Sequence, residues 1–238
     1  CYQNAIVVLT YNPSGFLLWK KTLAVSVVVS NSVGAFNLRS EVDNNGNVYI
    51  GTVTANPSGF NLYKLNSSGI TMFIKSSTVN SPNGFNSMRL KGNKIVITGR
   101  SGNRSVAPAI AWDTAGTALW TISVRGQGGN DVEIDAAGNT YLLTSYANQV
   151  SASSGQDILV YKFNSTGIQQ WKRNFDFGGY DFPTRFTFAA DKLSVIGYGS
   201  INASYFDWIT FQVNTQGGML WNARYNATTD NDELPAFI

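Results

Sequence analysis

The chain has no histidine, a single cysteine among its 238 residues, and few charges, with Asp, Glu, Lys and Arg together making 13%. Without an imidazole there is no His-based acid/base catalysis, no Ser-His-Asp triad and none of the usual imidazole metal centres. One cysteine excludes an intrachain disulfide and a thiolate metal cluster, and the missing histidine excludes a Cys-His nucleophile pair. The formal charge of +3 is small, and basic residues come in pairs at most (Lys20-Lys21, Lys172-Arg173), so no nucleic-acid surface is expected. No apolar run approaches the roughly 18 residues that span a bilayer, and no signal peptide is present. Abundant Asn, Ser, Thr and Gly suit a turn-dense β protein, and the low charge suits an exported one.

The cysteine stands first, as Cys1. A processed bacterial lipoprotein begins with its lipidated cysteine, which makes Cys1 a candidate membrane anchor. The competing reading is a fragment boundary, because a first strand starting near Ala5 leaves almost no tether.

One pattern recurs five times. An Asn or Asp is followed three residues later by Gly and four residues after that by an aromatic: Asn12–Gly15–Trp19, Asn66–Gly69–Phe73, Asp113–Gly116–Trp120, Asn164–Gly167–Trp171 and Asn214–Gly217–Trp221. The glycines lie 54, 47, 51 and 50 residues apart. Asx followed by Gly at the third position favours a type I turn whose Gly accepts the left-handed conformation and returns the chain antiparallel. Before each turn the chain alternates. Leu9, Tyr63, Ile110, Tyr161 and Phe211, then Tyr11, Leu65, Trp112, Phe163 and Val213, flank Thr10, Lys64, Ala111, Lys162 and Gln212. Period-2 alternation predicts a strand with one buried face, and the aromatic is expected to cover a seam between neighbouring repeats. A second hairpin completes each repeat, around Asp43-Asn-Asn-Gly46-Asn47, Lys91-Gly92-Asn93, Asp135-Ala-Ala-Gly138-Asn139 and Ala190-Asp191-Lys192. Two hairpins give four strands. A β-rich period near 50 residues predicts an all-β β-propeller of four-stranded repeats, about 4.5 in this chain. The units fall at about 5–57, 58–106, 107–155, 156–205 and, in part, 206–238. Both a compact five-bladed ring and a segment of a longer propeller accommodate that count.

The segments Asp157–Trp171 (DILVYKFNSTGIQQW) and Asp135–Leu142 (DAAGNTYL) resemble the repeat of the bacterial seven-bladed β-propeller family found in surface and secreted proteins. They are similar, less closely, to the blades of pyrroloquinoline-quinone-type propellers. The resemblance covers essentially the whole chain and implies a propeller fold. Quinone enzymes of that kind often carry adjacent cysteines beside the cofactor, and with one Cys no quinone site carries over; no cofactor is expected.

Carboxylates remain as candidate chemistry: Asp131/Glu133/Asp135, Asp176/Asp181 and Asp230/Asp232/Glu233. Two acids roughly 5–10 Å apart would serve a glycosidase, yet Asp135, like Asp43, sits at a hairpin turn. Asp43–Asn47 opens like a calcium loop, but Thr54 stands where the closing Glu belongs, so a hairpin turn is expected and no metal. Asn66, Asn103, Asn164, Asn202 and Asn226 satisfy the glycosylation pattern Asn-x-Ser/Thr. The connections Thr22–Arg39, Ser76–Phe85, Arg125–Asn130 and Asp176–Pro183 vary in length and are expected on one face, where recognition usually sits. The richest in aromatics supplies the candidate partner-binding residues Phe175, Phe177, Tyr180, Asp181 and Phe182, with filling of an inter-blade seam as the competing role. Trp208 is expected in a seam. The sequence thus predicts a non-catalytic binding or assembly module with a protein or glycan partner, at a cell surface or in an extracellular complex; a carbohydrate-active propeller using paired carboxylates is the alternative.

Overall fold

The computed structural model describes residues 5–24, 38–55, 58–78, 82–102, 105–147, 155–200 and 206–225. Every Asx-x-x-Gly copy folds as its chemistry requires. The Gly amide donates to the Asx carbonyl at 2.9–3.1 Å, and the Asx amide donates to the carbonyl four residues on at 2.9 Å. The Asx side chain then accepts the amide of that fourth residue, as Asn66 Oδ1 does from Ile70 and Asn164 Oδ1 from Ile168, each at 2.9 Å. The five glycines have φ between +77° and +86°, where a Cβ would strain the backbone. One extra residue enters the ladder at each turn, giving five equivalent β-bulges.

The chain begins with a hairpin of β1 (Ala5–Tyr11) and β2 (Leu17–Ala24). Antiparallel four-strand groups follow: β3 (Leu38–Val42), β4 (Val48–Ala55), β5 (Ser58–Leu65), β6 (Thr71–Ser77); then β7 (Pro82–Lys91), β8 (Lys94–Ser101), β9 (Val106–Asp113), β10 (Ala118–Arg125). The third group is β11 (Gly129–Ile134), β12 (Thr140–Ala147), β13 (Gln156–Phe163), β14 (Gln169–Phe175). The fourth is β15 (Tyr180–Ala189), β16 (Lys192–Ser200), β17 (Asp207–Asn214), β18 (Met219–Tyr225), joined to the third by one parallel pair, Gln156 with Tyr180. Each sheet therefore gathers the second hairpin of one sequence repeat with the Asx-turn hairpin of the next. First strands are neighbours: β7 lies between β3 and β11, and β11 between β7 and β15. This is an all-β, propeller-like arrangement of repeated four-stranded sheets. Among the described residues no strand pairing links β1 or β2 to the last sheet, and no helix is long and apolar enough to cross a membrane.

Of the strands before the turns, β17 keeps the expected alternation, whereas β5, β9 and β13 depart from a single buried face. β13 and β5 are buried on both faces almost throughout, because sheets pack on either side of them. In β5 and β13 the polar residues that produced the alternation are the long lysines Lys64 and Lys162. Lys64 Nζ lies 5.2 Å over the Tyr49 ring and donates to the Thr114 carbonyl at 2.8 Å. Lys162 Nζ does the same over Tyr141, at 5.2 Å, reaching the Thr215 carbonyl at 3.1 Å. Their stems are packed and their ammonium groups reach the next sheet's turn.

The aromatics after the first four turns cover the seam as expected. Trp19, Trp120 and Trp171 donate Nε1–H to the carbonyls of Ser67, Ser165 and Thr215, at 2.8, 3.3 and 3.0 Å, within the next copy's turn. Each also lies on that turn's glycine. A Cβ on Gly69 would stand 2.8 Å from Trp19, one on Gly167 2.7 Å from Trp120, and one on Gly116 3.1 Å from Phe73.

Candidate functional site

Three places in this framework gather chemistry. The first is the row of first strands. Arg39 and Glu41 on β3, Ser87 and Arg89 on β7, Asp131 and Glu133 on β11, and Arg185 on β15 act on one another there. Asp131 is fully buried and fully engaged. It accepts from Ser87 Oγ at 2.5 Å and from the amides of Val132 and Phe186 at 3.0 and 3.2 Å, with Arg89 at 3.7 Å. Glu133 pairs with Arg89 Nε at 3.0 Å. Burial raises the Glu133 carboxyl above its usual range and Arg89 opposes the shift. Asp135 lies apart, at its turn, accepting from Asn139 N and Nδ2 at 2.8 Å and Tyr141 OH at 3.2 Å. Asp43 repeats this arrangement with Asn47 and Tyr49, which accounts for both Asp-x-x-Gly-Asn-x-Tyr motifs without a metal. The acids proposed from sequence as a catalytic set are thus two members of an ion-pair belt and one turn residue.

The second place is the connection between β14 and β15, which carries the aromatic cluster. Phe175 is buried 4.8 Å from Phe211, and Phe177 is half-buried at 5.1 Å from the same ring. Tyr180 is exposed, while Phe182 stacks on Tyr198 at 5.1 Å and meets Phe206 edge-on at 5.8 Å. Asp181 points inward and is fully buried. Burial pushes its carboxyl up to about 6; the Phe177 amide opposes, Asp176 adds to the rise, Arg224 opposes and Asp157 adds. The sequence pairs Asp176 with Asp181; the fold brings Asp157 to them from β13, so that one carboxylate oxygen of each lies within 4.8 Å of the others. Asp157 sits beside the Gln156–Tyr180 pair, a non-local bridge that spacing along the chain does not reveal. Next to this region a polar cleft of about 400 Å³ is lined by Asn86, Arg100, Gln127, Asn130, Gln156 and Phe182, gathering two of the inter-sheet connections.

The third place is the pair of outermost hairpins. In β1, Leu9 and Tyr11 are 46% and 53% exposed, whereas their equivalents Tyr63, Ile110, Tyr161, Phe211, Leu65, Trp112, Phe163 and Val213 are all at most 5% exposed. Gly15 has nothing within 4 Å of its Cβ position, unlike the other four turn glycines. Trp221 is 46% exposed, as are Met219 and Leu220 to a similar degree. Trp208, expected in a seam, is 39% exposed on β17.

Of the glycosylation candidates, Asn66 and Asn164 use Oδ1 to hold their turns. Asn103, Asn202, Asn226, the acids Asp230, Asp232 and Glu233, and Cys1 lie outside the described residues.

No protein-family model matches the chain, and no curated protein matches it in sequence. Solved structures do. The chain is similar to the Dos1 propeller, with a TM-score of 0.60 and 11% identity over 93% of this chain and 54% of that one. A eukaryotic initiation factor gives a TM-score of 0.55 at 10% identity, over 93% of this chain and 52% of the other. The periplasmic gluconolactonase PpgL of Pseudomonas aeruginosa gives 0.50 at 12% identity, over 77% and 56%. Such identities speak for the fold alone. The chain spans about half the length of these structures.

Proposed function

We propose that the chain is a non-catalytic binding and assembly module of the propeller kind, and that its two outermost hairpins meet further repeats of the same type. One observation carries this: Leu9 and Tyr11 occupy positions that are buried in every other copy, yet stand exposed beside the open Gly15. At the opposite end Trp221 has the chemistry of Trp19, Trp120 and Trp171 but lies over no turn among the described residues. Exposed apolar surface of this extent and regularity marks an interaction face, and open repeat ends require caps. The occupant has defined chemistry: an Asx-turn glycine with its carbonyls for Trp221, and an indole or phenyl ring for Gly15. We read the repeat as that of the seven-bladed surface-protein family, and the low charge and turn-rich composition favour an extracellular setting, with Cys1 as the candidate anchor. Engagement of Asp131 and Glu133 in ion pairs speaks against the carbohydrate-active alternative.

Sedimentation velocity of the natural protein, with Leu9→Asp and Trp221→Ser variants, tests this reading. Association between copies gives a concentration-dependent oligomer that either substitution breaks. Coverage by repeats of the same polypeptide gives a monomer well above 25.9 kDa whose Trp221 resists acrylamide quenching. A monomer with Trp221 freely quenched refutes the assembly role.

A further inference from the structure

We propose that Asp157, Asp176 and Asp181 form a calcium site that ties the third sheet to the fourth. The three acids come from different elements: Asp157 from β13, Asp176 from the residue after β14, and Asp181 from β15. One oxygen from each lies within 4.8 Å of the other two. Three converging carboxylates suit Ca²⁺, which takes six to eight oxygens in flexible geometry, better than Mg²⁺, which keeps several waters and is usually held by one or two carboxylates. The donors are all hard oxygens, which disfavours zinc and copper.

A second observation points to a ligand independently of the clustering. Asp181 has 0% exposure and its Oδ1 has no hydrogen-bond partner, while its Oδ2 accepts from the Phe177 amide at 2.7 Å. A fully buried carboxylate with one oxygen unpartnered, set among two further carboxylates, is the expected state of a group that receives a cation. Asp157, 5% exposed, accepts on Oδ2 from Asn174 Nδ2 at 2.7 Å. Asp176 is exposed and gives Oδ1 to the Gly178 amide at 2.8 Å, which leaves its other oxygen, and the solvent side, to complete the shell with water.

The repeat supplies a comparison within the molecule. Asp207 on β17 occupies the place of Asp157 on β13, and Arg224 on β18 the place of Asn174 on β14; both pairs bond at 2.7 Å across 17 residues. In the fourth sheet the arginine neutralises its acid and also donates to the carbonyls of Phe177 and Gly199, at 3.2 and 2.7 Å. In the third sheet a neutral asparagine stands in that place, and Asp176 and Asp181 approach the acid. Arg224 also acts on Asp181, but one arginine leaves three clustered acids under-compensated.

The test uses the full chain stripped with a chelator and titrated with CaCl₂ by calorimetry, with terbium luminescence as a second readout. One calcium per chain is expected, together with a rise in the thermal midpoint. Asp176→Asn, at an exposed position, should fold normally by circular dichroism and bind calcium at least tenfold more weakly; Asp181→Asn should abolish binding. Absence of calcium binding by the wild type, or Asp176→Asn binding at wild-type affinity, overturns the site. Magnesium binding as tightly as calcium overturns the choice of ion.

Discussion

The seam packing permits a sharp test within the third sheet. Gly138 and Gly167 both sit in turns of that sheet, at φ +78° and +85°. Placing alanine at either position forces an L-residue into the left-handed region, a strain of about 1–2 kcal/mol. The surroundings differ. A Cβ on Gly138 meets only Ser165 Cβ at 3.6 Å and Lys94 Nζ at 3.8 Å, which is ordinary contact. A Cβ on Gly167 comes within 2.7 Å of Trp120 Cγ and 3.0 Å of Trp120 Cβ, the rigid stem of the ring. That stem cannot swing aside as the end of a long chain can, so Trp120 must leave its seat. Overpacking of this kind costs about 1–3 kcal/mol, and loss of the Trp120–Ser165 hydrogen bond adds about 0.5–1 kcal/mol. Gly138→Ala should therefore cost about 1–2 kcal/mol and Gly167→Ala about 3–5 kcal/mol. With a urea dependence of about 2–3 kcal/mol/M, the two midpoints should differ by about 1 M. Equal midpoints would refute the claim that each aromatic bears on the next copy's glycine.

Two further outcomes follow from individual side chains. Burial tends to raise the Asp43 carboxyl, but the donors on Asn47, Asn45 and Tyr49 outweigh it and hold the carboxyl below its usual range. A depressed acid adds stability that is present above the unfolded value near 4 and disappears as the pH falls through the folded one. Asp43→Asn should thus cost stability at pH 7 and flatten the loss on acidification, read as the thermal midpoint between pH 7 and 3. Arg89 lies against buried Asp131 at 3.7 Å and Glu133 at 3.0 Å. Arg89→Ala strips both acids of their cation, so chemical denaturation should show a loss of about 3–5 kcal/mol, and a loss under 1 kcal/mol would show the belt to be dispensable.

What could be read from sequence divides along a physical line. The turns were legible because an Asx acceptor, a left-handed glycine and the returning strand lie within five residues, and nothing distant alters their geometry. The seam aromatics were legible as a class for the same reason, since each follows its turn at fixed distance. Burial of β5 and β13 on both faces was not, because Lys64 and Lys162 look like solvent-facing residues until the neighbouring sheet's carbonyls are in place to receive them. The acid cluster was half legible. Asp176 and Asp181 share one connection, but Asp157 joins them only through the parallel Gln156–Tyr180 pair. A signal was nonetheless present: comparison of the last two copies, offset by 50 residues, shows Asp157 matched by Asp207 while Asn174 is matched by Arg224.

The offset between repeat and sheet has an energetic consequence. Because each sheet joins the second hairpin of one repeat to the Asx-turn hairpin of the next, the covalent repeat bridges two sheets and cannot separate from either without breaking backbone ladders. The aromatic contacts then run from one Asx-turn hairpin to the next, about 50 residues on, and add a nearest-neighbour term at the turns while Asp131 and Arg89 add one at the first strands. Stability in such an array grows with the number of satisfied interfaces rather than with any single core. Among the described residues nothing covers Leu9 and Tyr11, and no turn glycine lies against Trp221. The surfaces with most to gain from a further repeat are therefore the ones that carry Leu9, Tyr11 and Trp221.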